Sequence, residues 1–223
     1  MSLVAERNRR PYLDERMRPP IFRLCMLFTR ELCAGDPFVV LDQAIDGGVD
    51  CVQLREKEMS SRELFEWGGE VIAYCKSREV PLIVNDSVEV AIALGAAGVH
   101  LGQDDMHVED ARKLLGANCL IGLSTHTLEE ADDAVEFGAD YIGFGPVFAS
   151  STRGNEQGLG PEHLAAALAI ARLPMLAIGG IQSDNCWMIP EQAGVAASFA
   201  LCSAEDPNRT AKALLNRDSS ATR

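Results

Sequence analysis

Eight short, almost entirely apolar runs recur along the chain and constrain its fold more than any other feature. They occupy residues 24–29, 51–54, 82–84, 98–101, 120–123, 141–145, 175–178 and 195–201. Runs of this length that are apolar throughout are typical of strands buried on both faces, as in a parallel sheet. Segments with helical spacing lie between them, and parallel strands need crossovers of that kind.

Helix-start signals support this alternation of strands and helices. Ser60 is followed three residues later by Glu63, and Thr127 by Glu130, which is the spacing of a capping box. Pro161 precedes a segment rich in Ala and Leu, where the first turn of a helix tolerates proline.

Eight strand–helix units in about 190 residues predict a single-domain α/β protein, a (β/α)₈ TIM barrel. We expect a flexible N-terminal arm over residues 1–20, the barrel over residues 21–217 and a C-terminal tail over residues 218–223. An open doubly wound sheet of eight strands is the alternative.

The charge balance excludes some classes of partner. The 33 acidic residues outnumber the 20 basic ones, which gives a net charge of −13. Binding to nucleic acid or to an anionic membrane needs basic surface, so we expect neither, and no apolar run reaches the length of a membrane helix. Small-molecule substrates, including anionic ones, remain compatible with this charge, and the sequence leaves open a homo-oligomer.

The cysteines indicate a reducing compartment. The chain has seven, an odd number, and none of them forms a CxxC pair. Several lie inside apolar runs, which favours buried reduced thiols over disulfides or a zinc site. We therefore expect a cytoplasmic protein.

In a barrel of this class the chemistry lies at the carboxyl ends of the strands. Alternation after the second run places Gln53, Arg55 and Lys57 on one side. Two cations leaving a buried strand together suit a phosphate group. Pairing with Glu56, Glu58 or another acid nearby is the alternative reading.

Carboxylates follow the next two strands. Asp86 comes after the third run, and Asp104 and Asp105 come after the fourth. Hard oxygen ligands at one barrel mouth suit Mg²⁺, whose coordination shell is commonly completed by substrate phosphate. Helix N-capping is the alternative for each of them.

The later strand ends carry further candidates. Ser124 and His126 could contact an anion or act in acid–base chemistry, although Ser124 could also be a turn hydroxyl. His100, inside the fourth run, is expected to be an interior residue. The polar stretch 149–158 has the length of a lid loop, and the glycines at 179–180 would let backbone N–H groups approach a phosphate.

Six motifs occur together and in order: VQLREK at 52–57, PLIVND at 81–86, GVHLGQDD at 98–105, STHT at 124–127, GFGPVF at 143–148 and AIGGI at 177–181. With these motifs the chain resembles the thiamine phosphate synthase family over residues 24–207. The resemblance implies a (β/α)₈ barrel and a Mg²⁺-dependent transferase. Such an enzyme condenses hydroxymethylpyrimidine diphosphate with thiazole phosphate, and it releases thiamine phosphate and pyrophosphate.

The resemblance also implies roles for particular residues. Asp86 and Asp105 would bind Mg²⁺, with Asp104 as their neighbour, and Ser124 and Arg153 would serve the catalytic step. Residues implied to contact the pyrimidine diphosphate are Gln53, Arg55, Glu56, Lys57, Asn85 and Ser124. Residues implied to face the thiazole phosphate are Ser150, Ser151, Thr152, Arg153, Gly179, Gly180, Cys202 and Ser203.

Two departures from the family pattern fall on the thiazole-phosphate side. Residues 149–153 read Ala-Ser-Ser-Thr-Arg where the family has Pro-Thr-x-Thr-Lys. Cys202 stands where a phosphate-facing serine is expected, with Ser203 beside it. Two alternatives therefore stay open: a thiazole tautomerase-like isomerase, in which His126 would move protons, and a non-catalytic binder of thiamine intermediates.

Overall fold

The computed structural model describes residues 22–149 and 157–217, so the expected arm at 1–20 and tail at 218–223 lie outside the described residues. Eight parallel strands close into a barrel in chain order, and the first strand pairs with both the second and the eighth. The predicted (β/α)₈ barrel is confirmed, and the open-sheet alternative is wrong because the two edge strands bond to each other.

The strands are β1 (Leu24–Phe28), β2 (Cys51–Leu54), β3 (Leu82–Asn85), β4 (Gly98–Leu101), β5 (Leu120–Thr125), β6 (Tyr141–Phe144), β7 (Met175–Ile178) and β8 (Gly194–Ala197). Strand β5 continues to Thr125, so Ser124 is a strand residue and not a turn residue. The last apolar run is not one strand. It divides into β8 and a short helix at Phe199–Cys202, which corrects the expected strand over 195–201.

The helices are α1 (Pro37–Asp46), α2 (Ser61–Ser77), α3 (Val88–Leu94), α4 (Val108–Leu115), α5 (Leu128–Asp133), α6 (Pro161–Ile170), α7 (Phe199–Cys202) and α8 (Pro207–Asn216). Both predicted capping boxes form, at Ser60 before α2 and at Thr127 before α5. A single 3₁₀ turn, Cys186–Met188, stands between β7 and β8 where the other crossovers described have a helix.

Apolar side chains fill two spaces, one inside the barrel and one between the barrel and its helices. Inside the barrel, Tyr141 is fully buried and packs edge-on against Phe22. Gly122 lies beside Tyr141, and a Cβ at Gly122 would stand 2.3 Å from Cζ of that ring. The large tyrosine therefore fits because its neighbour on β5 has no side chain.

The helices around the barrel bury the apolar faces that their sequence spacing predicts. Leu64, Trp67 and Val71, spaced along α2, are all buried against the sheet. All seven cysteines are free thiols, and five of them are buried. Within the described residues, no helix is long and apolar enough to cross a membrane.

Candidate active site

A cavity of about 150 Å³ opens at the carboxyl ends of the strands. Six of the residues predicted for the site from the sequence line this cavity: Gln53, Arg55, Asn85, Ser124, Gly179 and Gly180. The lining also includes residues that were not predicted as site residues: Leu27, His100, Pro146, Ala149, Ile178, Ile181, Gln182, Ala196, Ala197, Ser198, Phe199 and Ala200. Residues from strands on opposite sides of the barrel therefore meet in one space, as the sequence predicted.

Three charged residues follow β2, β3 and β4, and we call Lys57, Asp86 and Asp105 the charged rim. They are predicted site residues but are not among those that line this cavity, and Asp105 lines a second pocket. Lys57 Nζ forms an ion pair with a carboxylate oxygen of Asp86. Backbone N–H of Asp86 donates to His100 O at 2.8 Å, which ties the end of β3 to β4. The alternative reading, in which Lys57 pairs with an acid nearby, is confirmed, although the partner is Asp86 and not Glu56 or Glu58.

The two carboxylates of the charged rim face each other. Backbone N–H of Gly102 donates to Asp105 Oδ2 at 2.6 Å. Burial raises the pKa of Asp105 above its ordinary value, and the adjacent Asp86 carboxyl raises that pKa further. Two carboxylates this close repel each other when both are ionised, and a cation between them would remove that repulsion.

The helix-capping reading of these aspartates is wrong. Ser87 caps α3 by accepting from backbone N–H of Val90 at 3.3 Å, and α4 follows His107. The oxygen donors suit Mg²⁺ in kind. Across residues 22–149 and 157–217, however, no group of three or more His, Cys, Asp or Glu side chains could hold a metal by itself. Magnesium therefore stays a prediction, and substrate oxygens would have to complete its shell.

Glu56 lies next to Arg55 in sequence but is not among the cavity-lining residues. Its Oε1 accepts from backbone N–H of Arg30 at 2.7 Å, in the turn after β1. Burial raises the pKa of this carboxyl. The structure thus gives Glu56 a role in holding the turn after β1, in contrast to the implied substrate contact.

A buried polar chain crosses the barrel interior below the cavity. His100 Nε2 lies 3.0 Å from Ser124 Oγ, and His100 Nδ1 lies 3.1 Å from Tyr141 Oη. His100 and Ser124 are nearly buried and still line the cavity. The expectation that His100 is an interior residue is correct, but its place in the cavity lining was missed.

Small residues form the opposite side of the cavity, and we call Gly179, Gly180 and Ser198 the glycine–serine end. Gly180 has φ +61°, and a Cβ there would stand 2.4 Å from Ala149 O. The close approach of two backbones therefore requires glycine at this position. Ser198 follows β8 directly and lines the cavity, and its buried Oγ lies beside the Cys202 thiol.

The position of Cys202 corrects a prediction. Cys202 is fully buried on α7, and its thiol contacts Leu27 O at 3.5 Å. Ser203 Oγ donates to Phe199 O at 2.7 Å. Neither residue is among those that line the cavity, because the chain turns into α7 after Ser198 instead of continuing as a strand. The predicted residues Ser150, Ser151, Thr152 and Arg153 lie outside the described residues.

Comparison with known proteins agrees with this geometry. The thiamine monophosphate synthase family model matches residues 24–204. The thiamine-phosphate synthase of Methanosarcina barkeri is 43% identical over 173 residues, which cover 76% of this chain and 78% of that protein. The chain belongs to the thiamine monophosphate synthase family.

Other relatives and a solved structure show the same likeness. The thiamine-phosphate synthase of Chlorobium phaeobacteroides is 37% identical over 194 residues, covering 86% of this chain and 93% of that protein. The solved structure of a thiamine phosphate pyrophosphorylase from Pyrococcus furiosus superposes with a TM-score of 0.78 at 32% identity. The match covers 88% of this chain and 95% of that one, so the likeness extends over the whole barrel.

Within the thiamine monophosphate synthase family, the tautomerase-like alternative depends on His126. His126 Nδ1 lies 2.6 Å from Gly145 O, and its backbone N–H donates to Glu130 Oε2 at 2.6 Å. His126 is not among the residues that line the cavity. Its ring is thus engaged with the end of β6, which disfavours a role in moving substrate protons.

Proposed function

We propose that this protein is a thiamine-phosphate synthase that joins hydroxymethylpyrimidine diphosphate to thiazole phosphate. The observation that carries the proposal is the cavity of this family member. One wall carries the amides of Gln53 and Asn85 and the guanidinium of Arg55, next to the strand ends that bear the two facing carboxylates. The wall across from it is mostly backbone, at Gly179 and Gly180. Two anionic substrates need two such regions, with their reacting carbon and nitrogen between them.

The pyrimidine diphosphate would lie toward β2, β3 and β5. Gln53, Asn85 and Ser124 supply neutral donors and acceptors for the heterocycle, and all three line the cavity. Arg55, at the cavity wall, offers a planar donor fork for phosphate oxygens. Lys57 lies at the rim, half-exposed, where its ammonium can reach a diphosphate that extends out of the cavity.

Asp86 and Asp105 would hold the Mg²⁺ ion that the family resemblance implies. Their hard oxygen donors and their mutual repulsion fit a divalent cation. When bound, the ion neutralises charge on a leaving diphosphate. The ion pair with Asp86 holds the Lys57 ammonium beside the proposed metal position, where its remaining N–H donors would face the diphosphate oxygens.

The thiazole phosphate would lie at the glycine–serine end. Backbone N–H groups near Gly180 and the hydroxyl of Ser198, which lines the cavity, are suitable donors for a phosphate. We keep Ser150, Ser151, Thr152 and Arg153 as proposed contacts of the same region, on the family resemblance alone. Arg153 would shield the reacting centre from water, as a lid residue does.

The reaction then needs little covalent chemistry from the protein. The bond between the pyrimidine methylene carbon and the diphosphate oxygen breaks, and its electron pair leaves with pyrophosphate. The aminopyrimidine ring spreads the positive charge, and the thiazole nitrogen lone pair forms the new carbon–nitrogen bond. The protein aligns the two substrates and excludes water, and it requires no side-chain nucleophile.

One assay tests this proposal against its alternatives. Purified protein is mixed with both substrates and Mg²⁺, and thiamine phosphate and pyrophosphate are measured. We expect equimolar formation of both products and loss of turnover in excess chelator. Binding of the pyrimidine diphosphate without turnover at saturating thiazole phosphate would favour the non-catalytic binder, and isomerisation of a thiazole substrate alone would favour the tautomerase. The free thiols also lead us to propose a reducing, cytoplasmic location.

A further inference from the structure

A polar chain runs from Ser124 through His100 to Tyr141 in the barrel interior, and the proposed reaction gives a role to Ser124 but none to His100 or Tyr141. Tyr141 is fully buried, and in the described part of the chain its Oη has one hydrogen-bond partner, His100 Nδ1 at 3.1 Å. Cys25 and Cys51 also lie near this phenol. Thiols are weak acceptors, so they cannot replace the imidazole nitrogen as a partner.

The donor direction in this chain follows from that burial. Burial raises the pKa of Tyr141 well above its ordinary value, so its hydroxyl keeps its proton. A buried hydroxyl proton without an acceptor is unfavourable, and the acceptor within reach is His100 Nδ1. A neutral imidazole that accepts at Nδ1 carries its proton at Nε2. That proton points at Ser124 Oγ, 3.0 Å away.

We propose that Tyr141 is a positioning residue that fixes His100 as the Nε2–H tautomer and thereby makes Ser124 a hydrogen-bond donor to the substrate. Ser124 Oγ accepts from His100, and its own proton is directed into the cavity that Ser124 lines. The ligand atom facing Ser124 must then be an acceptor, such as a ring nitrogen of a pyrimidine, and not an amino group. This inference rests on the proposed function for the identity of the ligand.

The packing around the chain holds it in one arrangement. The rings of His100 and Tyr141 are 5.4 Å apart and tilted by 43°. A Cβ at Gly122 would stand 2.4 Å from His100 Nδ1, and one at Gly143 would stand 3.2 Å from His100 Cε1. The two glycines on β5 and β6 therefore create the space in which the imidazole lies, and a side chain at Gly122 would displace it.

The tautomer can be read directly. Protein with ¹⁵N-labelled histidine is examined by long-range ¹H–¹⁵N NMR at about pH 8, where exposed histidines are neutral. The chain has four histidines, and a His100→Asn variant identifies the signals of His100. We expect a protonated Nε2 and an unprotonated Nδ1. A wild-type His100 protonated at Nδ1 would overturn the proposal.

Two variants test the cause of that tautomer. Tyr141→Phe keeps the ring and removes the hydroxyl, so we expect His100 to become a mixture of tautomers. Ser124→Ala should leave the Nε2–H tautomer in place, because Tyr141 still occupies Nδ1. The matched control is Tyr74→Phe, since Tyr74 Oη donates to Asp42 on the outer helices. An unchanged His100 spectrum in folded Tyr141→Phe would refute the role of Tyr141.

Binding gives the second readout. Calorimetry with the pyrimidine diphosphate and Mg²⁺ should show a Kd about tenfold higher in Tyr141→Phe, the size of one weakened hydrogen bond. Tyr74→Phe should bind as the wild type does, and equal affinity of Tyr141→Phe and wild type would count against the proposal. Because the NMR signals need no turnover, a protein that made no thiamine phosphate would refute the proposed function alone. If Tyr141→Phe fails to fold, the wild-type and Ser124→Ala spectra still decide the question.

Discussion

The charged rim follows β2, β3 and β4, the glycine–serine end follows β7 and β8, and these two regions of the barrel mouth are built in different ways. At the charged rim, specific side chains act: Lys57 pairs with Asp86, and Asp105 faces the same carboxyl. At the glycine–serine end, the absence of side chains lets backbone segments approach closely. A Cβ added to Gly180 would stand only 2.4 Å from Ala149 O. Side-chain chemistry can be recognised in a sequence, whereas backbone shape depends on where each strand ends.

The strongest test of the charged rim removes one carboxylate. Asp105→Ala should lower kcat/KM by more than the roughly 100-fold that loss of an outer-shell metal partner costs. The physical reason is that one remaining carboxylate holds a divalent cation weakly. The measurement is steady-state kinetics over a titration of Mg²⁺. Asp104→Ala, an exposed neighbour in the same turn, is the matched control and should keep normal Mg²⁺ dependence. Normal Mg²⁺ dependence in Asp105→Ala would show that Asp105 does not bind the metal.

The next largest effect should come from the cation of the charged rim. Lys57→Met should raise the Kd for the pyrimidine diphosphate by roughly 10- to 100-fold, because a hydrogen bond to a charged group contributes about 1.5–3 kcal/mol. Calorimetry measures this Kd, and thermal unfolding measures stability. The control is Lys113→Met, which breaks the exposed ion pair with Asp110 on α4. If Lys57→Met altered only thermal stability, Lys57 would be a structural partner of Asp86.

A methyl group tests the glycine–serine end. Gly180→Ala should raise the KM for thiazole phosphate more than tenfold, because the new Cβ would push against Ala149 O. Gly95 provides a close control, since it has the same φ of +61° and a Cβ added there would meet nothing within 4 Å. Both variants should lose about 1–2 kcal/mol from left-handed strain. Equal kinetics in the two variants would show that the close approach at Gly180 has no role in binding.

The smallest expected effect tests whether Ser198 or Cys202 contacts the thiazole phosphate. Ser198→Ala should raise the KM for thiazole phosphate about tenfold, because the hydroxyl of this cavity-lining residue would donate to phosphate. Cys202→Ser should leave that KM unchanged, since the thiol is buried against Leu27 O. Ser61→Ala, on the exposed face of α2, controls for loss of a hydroxyl. The reverse pattern would restore the phosphate contact implied for Cys202.

Much of the fold could be predicted from the sequence, because buried parallel strands and capped helices leave local signals. The capping boxes at Ser60 and Thr127 formed as expected. Six predicted site residues line the cavity, and they follow from alternation at strand ends: Gln53, Arg55, Asn85, Ser124, Gly179 and Gly180. The end of β8 could not be predicted in this way. The chain is apolar on both sides of Ser198, so this one serine was the local signal that separates β8 from α7.

The sequence by itself determined the number of strands, their order along the chain and the side chains that each strand end carries. Only the tertiary structure decided which of those side chains meet. Lys57 could have paired with Glu56 or Glu58, yet closure of the barrel brought it to Asp86 on the next strand. Likewise, His100 lies between Ser124 and Tyr141 because the register of β4, β5 and β6 places Gly122 and Gly143 beside it. Such contacts join residues distant in the chain, and local patterns contain no information about them.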